Sequence, residues 1–403
     1  MALPGTLTGV QITEIYATDL LGNVIWYFND TYSQGPQYVD RPLPGGTVLA
    51  LLGDAKGANQ LVRAFDLVGN SVLETSTGRI NEQLSALMTT PPAPGTSCGF
   101  GAAGQTICTV TQLHHEVNRL PNGHTVVFGY VEQLMPPGTQ GVGVGGTTPV
   151  DILTDQIIDL DANLQVDWTW NTFDHLNINQ KAVLGETCSN NGQGCPTTLQ
   201  YAAQAGGVAQ DWTHSNAIIY SAADHDLLIS QRHQDHILKL NYQDATGDGA
   251  VVWTLGNGGD FTLTNPPSGD TFPWFSYQHG LEINSADSLV TFDDGNTRCS
   301  KGLPGCDSRG QVLSLNETNK TATLLSDADM GNYSFAFGWA QTLSNGDYFY
   351  TSGVVGLGTP NEYAQAEEFD STGLTKTYVQ QDSPDVWYRA YRMPSMYAGC
   401  CGD

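Results

Sequence analysis

The sequence predicts an all-β fold, a six-bladed β-propeller, and three observations lead there. One hairpin-shaped phrase recurs along the chain, a second strand pair follows most copies, and turn formers abound, with 46 Gly and 19 Pro in 403 residues. The phrase reads HHEVNRLPNGHTVVFG from His114, DWTHSNAIIYSAADHDLLISQRH from Asp211 and QHGLEINSADSLVTFDDGNTR from Gln278. Each copy runs histidine, apolar stretch, polar turn, apolar stretch, the pattern of two antiparallel strands joined by a tight turn. A fourth copy, GWAQTLSNGDYFYTSG from Gly338, keeps the hairpin and lacks the histidine.

The elements follow in order. Residues 6–28 alternate as two strands about Gly22-Asn23. DRPLPGGTVLALLG from Asp40 is a shorter relative of the phrase, and LVRAFDLVGNSVLET supplies the outer strands of that unit. Outer pairs recur as DQIIDLDANLQVDWTW, HILKLNYQDATGDGAVVWTLG and GQVLSLNETNKTATLLS, so a full unit is a four-stranded blade. Five units can be counted. The first strands and the closing segment DVWYRAYRMPSMY are expected to make a sixth by pairing the chain ends, which hides the edge strands of an open sheet. One domain over 1–403 results. The blades exceed the roughly 40–50 residues of common propeller repeats because Gly-, Pro-, Ser- and Thr-rich insertions, such as LGETCSNNGQGCPTTLQYAAQAGG, extend them into loops on one rim.

Cysteine spacing staples those loops. Cys98 with Cys108, Cys188 with Cys195, and Cys299 with Cys306 each bracket a short loop and read as local disulfides. Cys400 and Cys401 have three states open to them: a vicinal bridge, a link to another partner, or free thiols. The spacing lacks the four interleaved ligands of a zinc site, and no metal or other cofactor is expected. Asn29, Asn316, Asn319 and Asn332 begin N-x-S/T sequons. With the disulfides they predict an exported glycoprotein, secreted or held in the secretory lumen. The opening MALPGTLTGV carries neither the basic nor the apolar part of a secretory leader, which leaves a cytosolic protein or a removed leader as alternatives.

The formal charge of −26 reflects only 15 Lys and Arg against 41 acids, a surface that repels nucleic acid and anionic lipid. No apolar run approaches the roughly 20 residues of a membrane-spanning helix. The expected partner is a small aromatic molecule; nothing in the chain fixes the oligomeric state.

If the copies are blades around one axis, equivalent inner positions converge, and His115, His214 and His279 face a common space. The phrases HHEVNRLPNG, DWTHSNAI with SQRHQDHILKLN, and QHGLEI with FDDGNTR, together with the terminal YRAYRMP, resemble the arylsulfotransferase family over residues 110–395. That family's six-bladed propellers move a sulfuryl group between phenols through a histidine. The resemblance implies that His214 and His279 surround the group in a central funnel and that Arg298 binds sulfate oxygens, a task suited to the bidentate guanidinium. It departs at one point. The bacterial enzymes carry their sulfated histidine later, in the fifth blade, whereas this chain has no histidine after His279 and offers Gln341 there. Neither Gln nor Asn can accept and release a sulfuryl group.

Three functions are therefore weighed. A His/His/Arg funnel can run acid/base chemistry of isomerase, cyclase or lyase type on a phenolic or polyketide-like metabolite. Sulfuryl transfer instead needs His279 or His214 as substitute nucleophile, or direct transfer between two bound phenols. A non-catalytic binding propeller explains the fold and sequons alone. The catalytic candidates are His214, His279 and Arg298; the substrate-binding candidates are His115, Arg232, Trp212, Gln341, Trp339 and Tyr388.

Ordinary structural roles compete with each. His114 or His115 can cap a blade, and Arg232 can pair with Asp226 or Asp235. His233 and His236 read as solvated, while His124, His175 and His225 sit at turns. Trp212 and Trp339 can simply pack between blades. Tyr388, Arg389 and Arg392 can hold the ring closed. The turn from Asp244 to Gly249 has acidic spacing suggestive of calcium but lacks the later bidentate Glu, and reads first as a hairpin turn.

Overall fold

The computed structural model describes residues 14–29, 39–53, 59–190, 192, 194–284 and 287–399. Strands β1 (Glu14–Thr18) and β2 (Val24–Asn29) form a two-stranded hairpin. The first four-stranded sheet is the meander β3 (Val39–Leu43), β4 (Thr47–Leu52), β5 (Leu61–Asp66) and β6 (Ser71–Ser76). Helix α1 (Thr77–Leu87) and the small hairpin β7 (Cys98–Phe100) and β8 (Thr106–Cys108) lead to the second sheet. It holds β9 (Leu113–Arg119), β10 (Thr125–Met135), β11 (Val150–Leu160) and β12 (Val166–Asn171), extended beside β11 by β13 (Thr187–Cys188) and β14 (Ala209–Asp211).

The third sheet is β15 (Ser215–Ser221), β16 (Asp226–Gln231), β17 (His236–Leu240) and β18 (Val251–Gly256). The fourth is β20 (His279–Ile283), β21 (Ser288–Asp293), β22 (Arg309–Asn316) and β23 (Thr321–Asp329), with β19 (Thr262–Thr264) alongside β23. The fifth is β24 (Gly338–Thr342), β25 (Tyr348–Val355), β26 (Tyr363–Phe369) and β27 (Lys376–Asp382). The remaining helices, α2 (Thr172–His175) and α3 (Asn296–Ser300), are single turns. The repeated phrases therefore are the first hairpins of sheets two to five.

Burial follows strand position. The second strands are buried on both faces, as in DLLISQ of β16 and TVLALL of β4, because each sheet is packed against a neighbour on either side. The last strands, SVLETS of β6 and KTYVQQD of β27, are polar and largely exposed. The first strands β3, β9, β15, β20 and β24 stand side by side in that order. Polar side chains tie each to the next: Asn118 Nδ2 donates to Ile218 O at 3.0 Å, Asn216 Nδ2 to Gln278 O at 2.8 Å, and Thr342 N to Glu282 Oε1 at 2.9 Å. Gly338, where the fourth copy lacks histidine, meets the Phe292 ring so closely that a Cβ would lie 2.3 Å from it.

The chain ends meet differently from the expectation. Residues 383–399, which include the closing segment, contain no strand. Pro384 precedes the closing segment and Pro394 stands inside it, neither able to donate to a ladder, and the segment's side chains make the ties instead. Tyr391 Oη donates to Asp40 O at 2.7 Å, and Arg389 reaches Glu116. The β1–β2 hairpin sits between the last and first four-stranded sheets. Gln380 Nε2 donates to Thr18 Oγ1 at 3.1 Å, Trp26 Nε1 to Leu67 O at 2.7 Å, and Phe28 stacks on Phe65 at 4.0 Å.

The three expected cysteine pairs are bonded: Cys98–Cys108, Cys188–Cys195 and Cys299–Cys306. Cys400, Cys401 and the side chain of Asn29 lie outside the described residues. Asn316 and Asn319 are exposed, whereas Asn332 is buried with its Nδ2 on Met330 O, so its sequon is closed to a glycan in the folded chain. No helix among the described residues is long and apolar enough to cross a membrane.

Candidate functional site

The first strands deliver histidines to one place because each copy enters its strand there. His115 and His214 adopt left-handed backbone, φ 57° and 49°, which costs a non-glycine residue about 1–2 kcal/mol. Their rings lie 4.5 Å apart, centroid to centroid. Tyr388 sits beside them, 6.0 Å from the His115 ring and 6.5 Å from the His279 ring, with its Oη donating to His115 O at 2.9 Å. His115, His214 and His279 are thus brought together, as expected.

Each imidazole is held from behind. Asp211 Oδ2 lies 2.8 Å from His214 Nδ1, and Asp294 Oδ2 lies 2.9 Å from His279 Nδ1. His115 is held by another histidine, with His114 Nδ1 2.7 Å from His115 Nδ1 and His114 Nε2 3.2 Å from Asp155 Oδ1. Asp155 in turn accepts from Thr213 Oγ1 at 2.5 Å and Ser215 N at 2.8 Å. A carboxylate on Nδ1 fixes the proton there and leaves Nε2 as the lone-pair nitrogen, the arrangement of a general base or nucleophile. Through His114 the pattern extends to His115: His114 Nε2 stands 3.2 Å from Asp155 Oδ1, outside hydrogen-bond geometry, and a proton on that nitrogen makes His114 Nδ1 the acceptor for His115 Nδ1–H and leaves His115 Nε2 basic.

Two further residues join from the end of β16, where the chain turns back through residues 232–234. Arg232 Nη1 is 2.9 Å from His233 Nε2, its guanidinium lies over the Tyr277 ring at 4.7 Å, and its Nε is 3.8 Å from Asp294 Oδ2. Its acidic neighbour is therefore Asp294, not Asp226 or Asp235. His233, expected in solvent, is 2% exposed and stacks on His214 at 4.4 Å. The hairpin register explains this. Arg232 N donates to His214 O and His233 N to Thr213 O, so the end of the second strand lies beside the histidine that opens the first. That adjacency was readable from the repeat, had SQRH been aligned against DWTH.

Burial sets the charge. It pushes His115, His233 and His279 well below the ordinary imidazole value, helped by neighbouring histidines and Arg232, so all three are neutral at pH 7. Burial also pushes Asp294 up, against the carboxylate form that holds the proton on His279 Nδ1, and Arg232 opposes that shift. For Asp155 burial acts upward, but His114, Thr213 and Ser215 hold it below the usual carboxylate range. The result is neutral His115, His233 and His279 beside the Arg232 guanidinium.

The insertion carrying Cys188–Cys195 roofs this set. Val183 N donates to His233 O at 2.8 Å, Leu184 N donates to Tyr277 Oη at 3.2 Å, and a Cβ on Gly194 would stand 3.8 Å from His214 Cε1. His115 is half-buried, while His214, His233 and His279 are buried.

Other candidates fall elsewhere. Arg298 is fully buried in α3, after β21, where it binds Asp293 and the Gly305 and Asp307 carbonyls of the loop that follows. Gln341 bonds both ways with the backbone of Arg392. Trp212 is buried with Val150 and Ile152, and Trp339 lies between the guanidinium groups of Arg41 and Arg389, so both act in packing. Arg389 grips Glu116 with two bonds of 2.8 and 3.0 Å. At the turns, His124 meets Asp159, His175 stacks on Trp170, and His225 meets Asp244, while Asp248 receives the Ala250 N–H of an ordinary hairpin turn. Asp211, His214 and His233 each offer a ligand atom within 4.8 Å of the others, a spacing a metal ion could use. In this structure His214 Nδ1 faces Asp211 Oδ2 and His233 Nδ1 faces Asp211 O.

Comparison with known proteins adds the following. The profile of the family described as Arylsulfotransferase (ASST) matches residues 7–389. No curated protein matches. Similar solved structures include a protein of unknown function from Bacteroides caccae, 9% identical with TM-score 0.48, and a putative 6-phosphogluconolactonase from Bacteroides fragilis, 13% identical with TM-score 0.43. A periplasmic gluconolactonase from Pseudomonas aeruginosa is 11% identical with TM-score 0.41; for all three, 96% of this chain and 96% of theirs are covered.

Proposed function

Since the chain belongs to the arylsulfotransferase family, we propose that it is an enzyme acting on a small aromatic substrate at the His115/His214/His279 cluster, by proton transfer. The observation that carries this reading is the backing of all three imidazoles on Nδ1, which leaves Nε2 of each as the basic nitrogen beside the Arg232 guanidinium. A phenol bound there gives its proton to the Nε2 of His279, and the phenolate is balanced by Arg232. The imidazolium then returns the same proton to a different atom of the substrate, so an isomerisation or ring closure leaves no net proton change. Arg232 takes the part first assigned to Arg298, which is spent on its own loop. In the same reading, the β1–β2 hairpin is the sixth blade, reduced to two strands, of a closed ring, and the three disulfides reflect export.

Sulfuryl transfer is the second reading, favoured by the family and by the His279–Asp294 pair, which is the pattern of an activated nucleophile. Incubation with p-nitrophenyl sulfate and a phenol acceptor separates the two. No nitrophenol release above the His279→Ala background is expected. Release that depends on His279, with a sulfated enzyme trapped in the absence of acceptor, replaces proton transfer with sulfuryl transfer.

A further inference from the structure

A large cavity, about 1840 Å3, lies at the other ends of the first strands. Its wall is made by the distal halves of β9, β15, β20 and β24, by residues of β1, β3 and β25–β27 and by residues 390–399, and none of the clustered histidines lines it. Between the two regions stand Arg389 and Glu116. Arg389 Nη2 donates to His115 O on one side at 3.0 Å, and Glu116 holds Arg41, a cavity residue, at 3.3 Å on the other.

Charge is distributed unevenly here. In a chain of net charge −26 with nine arginines, three of them, Arg41, Arg119 and Arg392, line this one cavity. Arg41 is matched by Glu116, and Arg392 by Glu368 at 3.4 Å. Arg119 is half-buried, donates to Gly123 O at 2.7 Å, and has no acidic side chain within 4.0 Å among the described residues. Desolvation pulls its pKa down, the mark of a cation short of a counter-charge. Of the other acids on the wall, Glu282 is pushed up to about 7 by burial, Asp287 is exposed, and Asp19, half-buried, is held low by hydrogen bonds from Asn23. The hydrocarbon of Leu120, Ile219, Ile283, Leu343 and Met393 faces the same space.

We propose that this cavity is a second binding site, for an amphipathic organic monoanion whose acidic head sits on Arg119 and whose hydrocarbon body covers the apolar wall. A carboxylate and a sulfate ester share that chemistry. The site is independent of the reaction at the histidines.

Titration calorimetry with four probes of one chain length tests it: octanoate, octyl sulfate, octanol and octylammonium, each below its micellar range. One equivalent of octanoate or octyl sulfate is expected to bind, the tighter of the two naming the head group. Octanol and octylammonium are expected to bind at least about tenfold more weakly. Arg119→Gln is expected to lose about tenfold in affinity with its melting temperature and any aryl-substrate turnover unchanged. Should that variant not fold, Met393→Glu, which sets a like charge in the cavity, is expected to abolish binding of both anions. His279→Ala is expected to bind octanoate normally. The proposal is overturned if neither anion binds at millimolar concentration, if octanol binds as well as octanoate, if folded Arg119→Gln or Met393→Glu binds like the native chain, or if His279→Ala loses the anion.

Discussion

His114 Nδ1 and His115 Nδ1 lie 2.7 Å apart, with Asp155 3.2 Å from the far nitrogen of His114. The chain Asp155–His114–His115 thus sets a tautomer two residues away from the carboxylate. We expect nitrogen NMR of native protein to show His115 protonated on Nδ1. His114→Phe keeps the stack on Tyr130 but removes the acceptor, so a mixture of tautomers and a loss of about 10-fold or more in turnover are expected. An unchanged His115 spectrum in that variant removes the relay.

Arg232 and Arg298 should separate cleanly. Arg298→Gln leaves Asp293 buried without its partner, a loss of about 3–5 kcal/mol. A fall of about 4–6 °C in melting temperature is expected by scanning calorimetry. Arg232→Gln is expected to lower the melting temperature less than Arg298→Gln, because Asp294 stands 3.8 Å away and keeps His279 as its partner, while turnover falls about 100-fold. Loss of turnover in a stably folded Arg298→Gln returns the anion-binding role to Arg298.

The pH profile carries a sign. His115 and His279 have folded pKa values below the ordinary 6.5, so their basic forms persist as pH falls past 6.5. The acid limb of kcat/KM is expected below pH 6.5. For stability the same depression means the contribution is complete above about 6.5 and is lost as pH falls toward the folded values. An acid limb at or above 6.5 contradicts neutral imidazoles in the free enzyme.

Glu132 and Asp151 form a buried acid pair beneath the stapled loop. Glu132 accepts from Gln200 N at 2.9 Å and Tyr201 N at 3.2 Å, and burial with the neighbouring Glu132 pushes Asp151 up to about 8. A raised carboxyl favours the fold at low pH and withdraws that support as pH rises toward the folded value. Amide exchange over residues 198–204 is therefore expected to speed up, beyond the intrinsic rise, between about pH 4 and pH 8, and to follow the intrinsic rate above that. Asp151→Asn should flatten that change; exchange that responds equally in the variant assigns it to another group.

Much of the architecture was legible because a strand pair is a local object. The hairpin at Asp211 and the one at Gln278 are written in consecutive residues, and so are the loops closed by Cys188–Cys195 and Cys299–Cys306. His214 and His279 were legible for the same reason, each standing at the entrance of a repeat. His233 was not, since its burial comes from the fold-back of residues 232–234 beside Thr213, and an isolated strand pattern reads such a residue as solvated. The closing segment failed as a strand because Pro394 cannot donate to a ladder and its long side chains tie across the molecule instead.

By itself the sequence determined an all-β chain of repeated hairpins, its three stapled loops and the set of histidines that open the copies. Those are consequences of periodicity, turn residues and short spacings. Only the tertiary structure decided which arginine faces the histidines, which carboxylates fix their tautomers, and that Arg389 and Glu116 stand between them and a second cavity. Those depend on partners tens to hundreds of residues apart, such as His115 with Arg389 and His279 with Arg232, and a chain shows such pairs only once its sheets have packed.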